Sequence, residues 1–142
     1  MTPSLTLHLQ NKIAEVARLV DAVESFGTHA GLSPDLTYRL TLSLDEIVSN
    51  VIRHGYSDTN DHVVEVRLSV HDGVVTSVIE DDGHPYDPRE SPEPDLSMPV
   101  EERGPGGLGI FLVRQMMDSI DYARRGGRNI LTVTASRREG DE

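Results

Sequence analysis

Apolar residues recur along this chain with two different periods. Leu5, Leu7 and Leu9 alternate with Thr6 and His8, the period-two pattern of a half-buried strand. From Asn11 the period lengthens: Ile13, Val16, Ala17, Val20 and Val23 fall at helical spacing, which predicts a first helix ending near Gly27. Ser33-Pro34 then supplies a capping hydroxyl followed by proline at the first helical position, where its missing N–H is not needed. This second helix is predicted to run to His54 and to close at Gly55.

Period two returns at Val64, Val66, Leu68 and Val70; Asp72-Gly73 supplies a hairpin turn, and Val74 to Asp81 continues as strand. Residues 84–105 hold six of the eight prolines, a composition that builds no packed element, and a loop of this length marks a lid, a binding loop or disorder. A third helix opens at Gly106 to Gly109, with Leu112, Val113, Met116 and Met117 as its apolar face. Ile120 to Arg124, a turn at Arg125-Gly126-Gly127-Arg128, and Asn129 to Ala135 make a second hairpin. The order β-α-α-β-β-α-β-β lacks the alternation of a doubly wound parallel fold. It predicts an α+β protein: a two-layer sandwich with a mixed, mostly antiparallel sheet and helices on one face, formed by residues 1–142 as a single domain.

The second helix departs from simple amphipathicity. Leu40, Leu44, Ile47, Val48, Val51 and Ile52 occupy one arc of a helical wheel, and Ser43, Glu46, Asn50, Arg53 and His54 the other. Glu46 and Asn50 are four residues apart, which brings their Cβ atoms within about 5–6 Å, close enough to act on one ligand. A solvated helix face accounts for the same pattern.

Composition narrows the chemistry. Cysteine is absent, which excludes disulfides and thiolate metal sites, and no apolar run has the length of a membrane span or the form of a signal peptide. A soluble cytoplasmic protein is expected. Thirteen Lys+Arg against 24 Asp+Glu give a formal charge of −11, which repels a phosphate backbone and argues against nucleic acid as a partner. Lys12 is the only lysine, far from any glycine-rich segment, so neither a P-loop nor the strand lysine of a protein kinase is available. Phosphate chemistry in this chain has to run without lysine.

Two further segments carry candidate chemistry. In "EDDGHPYDP", Asp81 ends a strand and Gly83 follows; the carboxylate can accept from an exocyclic amine and the glycine lets a flat ring approach the backbone, although Asp-Asp-Gly also makes a plain turn. In "GPGGLGIFLVRQMMD", Gly107 and Gly109 at the mouth of a helix leave backbone N–H groups uncovered beside the positive end of the helix dipole, a lysine-free phosphate cradle. A mobile glycine-rich loop without a ligand reads the same way.

Together "EIVSNVIRHGY", "EDDGHPYDP" and "GGLGIFLVRQMMD", in this order and at these separations, resemble the N, G1 and G2 boxes of the GHKL, or Bergerat, ATP-binding fold shared by gyrase, Hsp90, histidine kinases and MutL. Within it the chain is most similar to the small bacterial anti-sigma-factor serine/threonine kinases of the RsbW and SpoIIAB type. The resemblance implies that Asn50 offers its amide oxygen to Mg²⁺, that Glu46 is the general base, and that Asp81 holds the adenine amino group with Gly83 against the base. It implies Gly106, Gly107, Leu108 and Gly109 at the phosphates and residues 84–105 as the ATP lid. Arg53, Arg103 and Arg114 are candidate phosphate contacts, and surface arginines read the same way. Pro85 stands where the superfamily has a second glycine, and Gly127-Arg128-Asn129 where it often has Gly-Thr; Thr132 is carried over as an adenine-side contact. The implied function is phosphorylation of an anti-sigma-factor antagonist of the STAS type by a homodimeric kinase that also binds a sigma factor. The alternative is a non-catalytic module that uses ATP to set its choice of partner.

Overall fold

A computed structural model describes residues 2–90, 97 and 107–140. The elements are β1 (Ser4–Gln10), α1 (Glu15–Ala30), α2 (Pro34–His54), β2 (Val63–His71), β3 (Val74–Asp81), a 3-10 turn (Pro88–Glu90), α3 (Gly107–Met116), β4 (Ser119–Arg125) and β5 (Arg128–Ser136). Every strand pairing is antiparallel, in the order β1-β2-β3-β5-β4, so the sheet expected to be mostly antiparallel is entirely so.

Strand alternation sends one side chain of each pair inward. Leu9, Val64, Val66, Leu68, Val75, Ile79, Leu131 and Val133 form the sheet's contribution to one core, which α1, α2 and α3 complete with Leu19, Val23, Leu40, Leu44, Val48 and Val113. Their alternate neighbours, such as Arg67, Val78 and Thr132, pair with one another on the opposite face. Both hairpins are closed by two left-handed residues, Asp72-Gly73 (φ 51° and 78°) and Gly126-Gly127 (φ 58° and 76°), the backbone that matches the right-handed strand twist.

The helices keep most of their predicted signals. Ser33 caps α2 by accepting a hydrogen bond from the Leu36 N–H (3.2 Å), and the Gly55 N–H closes the far end by donating to Val51 O (2.8 Å). Three details differ. Residues 11–14 form a turn rather than helix, because Asn11 is occupied with the chain after α2, donating to Asn60 O and accepting from the His62 N–H. At its other end α1 runs through Gly27, which is a contact glycine: a Cβ there would lie 2.5 Å from Thr37 Oγ1, and the chain turns only at Gly31 (φ 70°). On α3, Ile110 and Val113 point inward together with Met117, whereas Leu112 is 41% exposed.

Arg39, only 5% exposed, fixes the helical layer to the sheet's end. It donates to Asp35 Oδ2 (3.0 Å), Met116 O (3.1 Å) and Ser136 O (2.8 Å), joining α2 to the ends of α3 and β5. No helix among the described residues is long and apolar enough to cross a membrane.

Candidate functional site

The C-terminal half of α2, the ends of β3 and β5, and the chain after β3 enclose a cavity of about 300 Å³. Asn50, Asp81, His84, Tyr122 and Asn129 are its main polar lining, and Ile47, Ile79, Ile110 and Leu131 supply apolar wall. An apolar slot with a few placed polar groups is the usual form of a small-molecule site.

Asp81 is 4% exposed, and its two oxygens differ. Oδ1 accepts from the Gly83 N–H (2.8 Å) and from Asn129 Nδ2 (3.0 Å), whereas Oδ2 has no protein partner among the described residues. Burial pushes the Asp81 carboxyl above its ordinary range, Asp82 adding to the rise; the Asn129 and Gly83 donors, and Arg128, pull the other way. A buried carboxylate with one oxygen unpaired is costly unless a ligand donor completes it.

Asn129 is a cavity residue that the sequence did not single out. Its Nδ2 also donates to His84 O (2.8 Å), while its Oδ1 accepts from Tyr122 OH and from Arg124 Nη1 (3.0 Å). Arg124 Nη1 reaches Gly83 O as well (2.9 Å). The one signal in the sequence is the departure at Gly127-Arg128-Asn129, which places this amide at the first inward position of β5, opposite Asp81 in register. Thr132, by contrast, is not brought to the cavity. It lies an odd number of residues from Asn129 and Leu131 along an alternating strand, and pairs with Val78 and Asp121 on the sheet's other face.

Gly83 has a close neighbour within the protein. A Cβ there would stand 2.5 Å from Gly55 O, the same carbonyl that accepts from the His84 N–H (2.7 Å). The chain after α2 and the chain after β3 are therefore held together beneath Asp81. His62 adds to this junction: it stacks on Tyr56 (4.2 Å between centroids), with Nε2 2.8 Å from Asp58 Oδ1 and Nδ1 3.1 Å from Asp82 Oδ1. Both ring nitrogens can donate only in the imidazolium form, and the Asp58 hydrogen bond, followed by Asp82, raises the His62 pKa. The stabilisation is fully present below the ordinary histidine value near 6.5 and is lost as pH rises through the raised one. We expect the melting-temperature gap between the parent chain and His62→Gln to be largest at mildly acidic pH and to close in alkaline buffer.

Glu46 and Asn50 sit one turn apart on α2. The Asn50 side chain lines the cavity and has no protein hydrogen bond among the described residues, while Glu46 lies beside it, against Gly109 of α3. Burial raises the Glu46 pKa, the neighbouring Asp45 raises it further, and Arg53 opposes both. A Cβ at Gly109 would overlap the Glu46 carboxylate, so Gly109→Ala is expected to displace that side chain. Carboxyl NMR should then show its titration moving back toward 4.5; an unchanged titration means that the helix moved instead.

The remaining expected residues divide. Gly107 opens α3 and Leu108 follows within it, while Gly106, Arg103 and most of the proline-rich segment lie outside the described residues. His54 lines the cavity, and Arg53 is exposed on the last turn of α2. Arg114 donates to Pro88 O (2.6 Å), fastening α3 to the chain after β3. Among the described residues no three His, Asp or Glu side chains gather to hold a metal. A lone amide oxygen at the cavity fits a cation that takes most of its ligands from water and phosphate.

The chain is similar to known proteins. The model of the histidine kinase-like ATPase domain matches residues 9–135. The serine/threonine-protein kinase BtrW of Bordetella bronchiseptica is 33% identical over 103 residues, 72% of each chain. The anti-sigma F factor of Priestia megaterium is 30% identical over 99 residues, 69% of this chain and 67% of its own length. The crystal structure of the RsbU and RsbW domains of Rv1364c from Mycobacterium tuberculosis superposes with a TM-score of 0.69 at 16% identity, over 95% of this chain and 32% of that one, a likeness of fold. With the match running from the end of β1 to the end of β5, and with the cavity between α2, β3 and α3, the chain belongs to the histidine kinase-like ATPase domain family.

Proposed function

We propose that the chain binds ATP in this cavity and transfers its γ-phosphoryl group to a serine or threonine of an anti-sigma-factor antagonist of the STAS type. The observation that carries the reading is the pairing of Asp81, buried with one oxygen unpartnered among the described residues, with Asn50 in the same cavity, Glu46 lying one turn before Asn50 on α2 and against Gly109. Relatives named as serine/threonine kinase and as anti-sigma factor support the reaction and the partner class.

Asp81 Oδ2 accepts from the adenine amine, and the apolar wall of Ile79, Ile110 and Leu131 packs on the ring. The N-terminus of α3 at Gly107 offers N–H groups and the positive end of a helix dipole to the phosphates, in a protein with no lysine near them. Asn50 would be a protein ligand for Mg²⁺, whose charge would offset that of the phosphates. Glu46 takes the proton of the partner's hydroxyl; that oxygen bonds to the γ-phosphorus as the bond to the β–γ bridging oxygen breaks, and ADP leaves. A raised pKa suits this role, since a more basic carboxylate is the better proton acceptor once ionised. Unphosphorylated antagonist then competes with a sigma factor for a homodimeric, cytoplasmic kinase.

Radiolabelled ATP incubated with candidate STAS-domain proteins tests the reaction, and pull-downs of sigma factors with ATP or ADP test the switch. Label on one serine or threonine of one antagonist is the expected result. ATP binding with no label on any of them leaves the chain a nucleotide-controlled binding module.

A further inference from the structure

The asymmetry of the Asp81 carboxylate has a consequence for base selection. Adenine presents one amine donor beside a ring nitrogen acceptor, whereas guanine presents an N1–H and a 2-amino group side by side. A carboxylate with both oxygens open is the natural bidentate partner of guanine's two parallel donors, in the way it receives the fork of an arginine. At Asp81 that geometry is blocked. Oδ1 already receives two donors, the Gly83 N–H at 2.8 Å and Asn129 Nδ2 at 3.0 Å, which use both of its in-plane lone pairs. Oδ2 alone is left, enough for one amine.

Asn129 is held in this duty from every side. Its second Nδ2 hydrogen goes to His84 O, and its Oδ1 is taken by Tyr122 and Arg124, so both donors and both acceptor sites of the amide are used. The side chain cannot rotate away to free Oδ1 without leaving several buried groups unpaired, at 6% exposure. Gly83 contributes a backbone donor, whereas the donor from Asn129 depends on its side chain.

We propose that Asn129, by occupying Oδ1 of Asp81, turns a potentially bidentate carboxylate into a single acceptor and thereby selects adenine over guanine nucleotides. The inference rests on the reading of the cavity as a nucleotide site and adds to it a residue that sets which base is taken.

Calorimetric titration of the full chain with ATP, GTP and ITP tests it, in the parent and in Asn129→Ala. ITP carries the N1–H of guanine without the 2-amino group, so it separates bidentate pairing from a general loosening. In the parent, ATP should bind at least about tenfold tighter than GTP, the worth of one charge-assisted hydrogen bond. In Asn129→Ala the ratio should fall by about tenfold through a gain for GTP that ITP does not share. Should Asn129→Ala fail to fold, Asn129→Val offers Asp81 Oδ1 no donor, suits a strand position and carries the same comparison.

A parent that binds GTP as tightly as ATP overturns the proposal, and so do variants that weaken all three nucleotides alike, the mark of a role confined to holding the loop. In both cases ATP binding by the parent leaves the cavity's assignment standing. A parent that binds none of the three removes the nucleotide site and the selection together.

Discussion

Glu46→Gln is expected to bind ATP as the parent does and to transfer its phosphoryl group about 10²- to 10⁴-fold more slowly, the usual worth of a positioned general base. Glutamine keeps the size of the side chain against Gly109, so the packing between α2 and α3 should survive and melting should change little. The acid limb of the rate provides a second reading. Transfer requires the ionised carboxylate, and burial with Asp45 raises its pKa, so the limb should lie above the ordinary value of 4.5. Asp45→Asn removes a like charge and should move the limb to lower pH; Arg53→Gln removes the opposing cation and should move it higher. Undiminished transfer by Glu46→Gln, measured with a labelled antagonist, would leave the base elsewhere.

Asp81→Asn should instead act on binding, weakening ATP by about ten- to a hundredfold, the range for a lost hydrogen bond to a charged group. The direction follows from the partners already in place. The Gly83 N–H and Asn129 Nδ2 hold an acceptor at Oδ1, so the new amide must put its oxygen there and its NH2 where Oδ2 was. A donor then faces the adenine amine. Because the native carboxyl suffers from burial, the variant should be no less stable than the parent toward denaturant, which separates a ligand effect from a folding one. Normal affinity for ATP in a folded Asp81→Asn protein would sink the adenine assignment.

The fold was legible because its signals are local. Ser33-Pro34, the alternation from Val64 to Val70 and the two glycine turns each act within a few residues, and each stands where it was expected. The start of α1 was not, because Asn11 is claimed by residues 60 and 62, fifty positions away. The same contrast divides the site. Glu46 and Asn50 share a helix, so their proximity could be computed from a period; the bond from Asn129 to Asp81 crosses 48 residues and depends on which strands become neighbours. Thr132, carried over from the resemblance, shows the same limit: strand parity puts it on the far face, and Asn129 takes the position opposite Asp81. Ser43 is a smaller case: placed on the polar arc of α2, it is buried at 1% exposure.

The sheet order also bears on how the protein is assembled in time. Each of the pairs β2-β3 and β4-β5 is a hairpin closed by a two-residue turn, which microsecond local search can find. The seam between β3 and β5 joins those hairpins across a long connection that contains α3, and such non-local pairing is slow. Asp81 and Asn129 face each other at the end of that seam. The proposed base-recognition pair is thus expected to be among the last features to form in refolding, and a nucleotide that binds only the joined state should slow unfolding while leaving hairpin formation untouched.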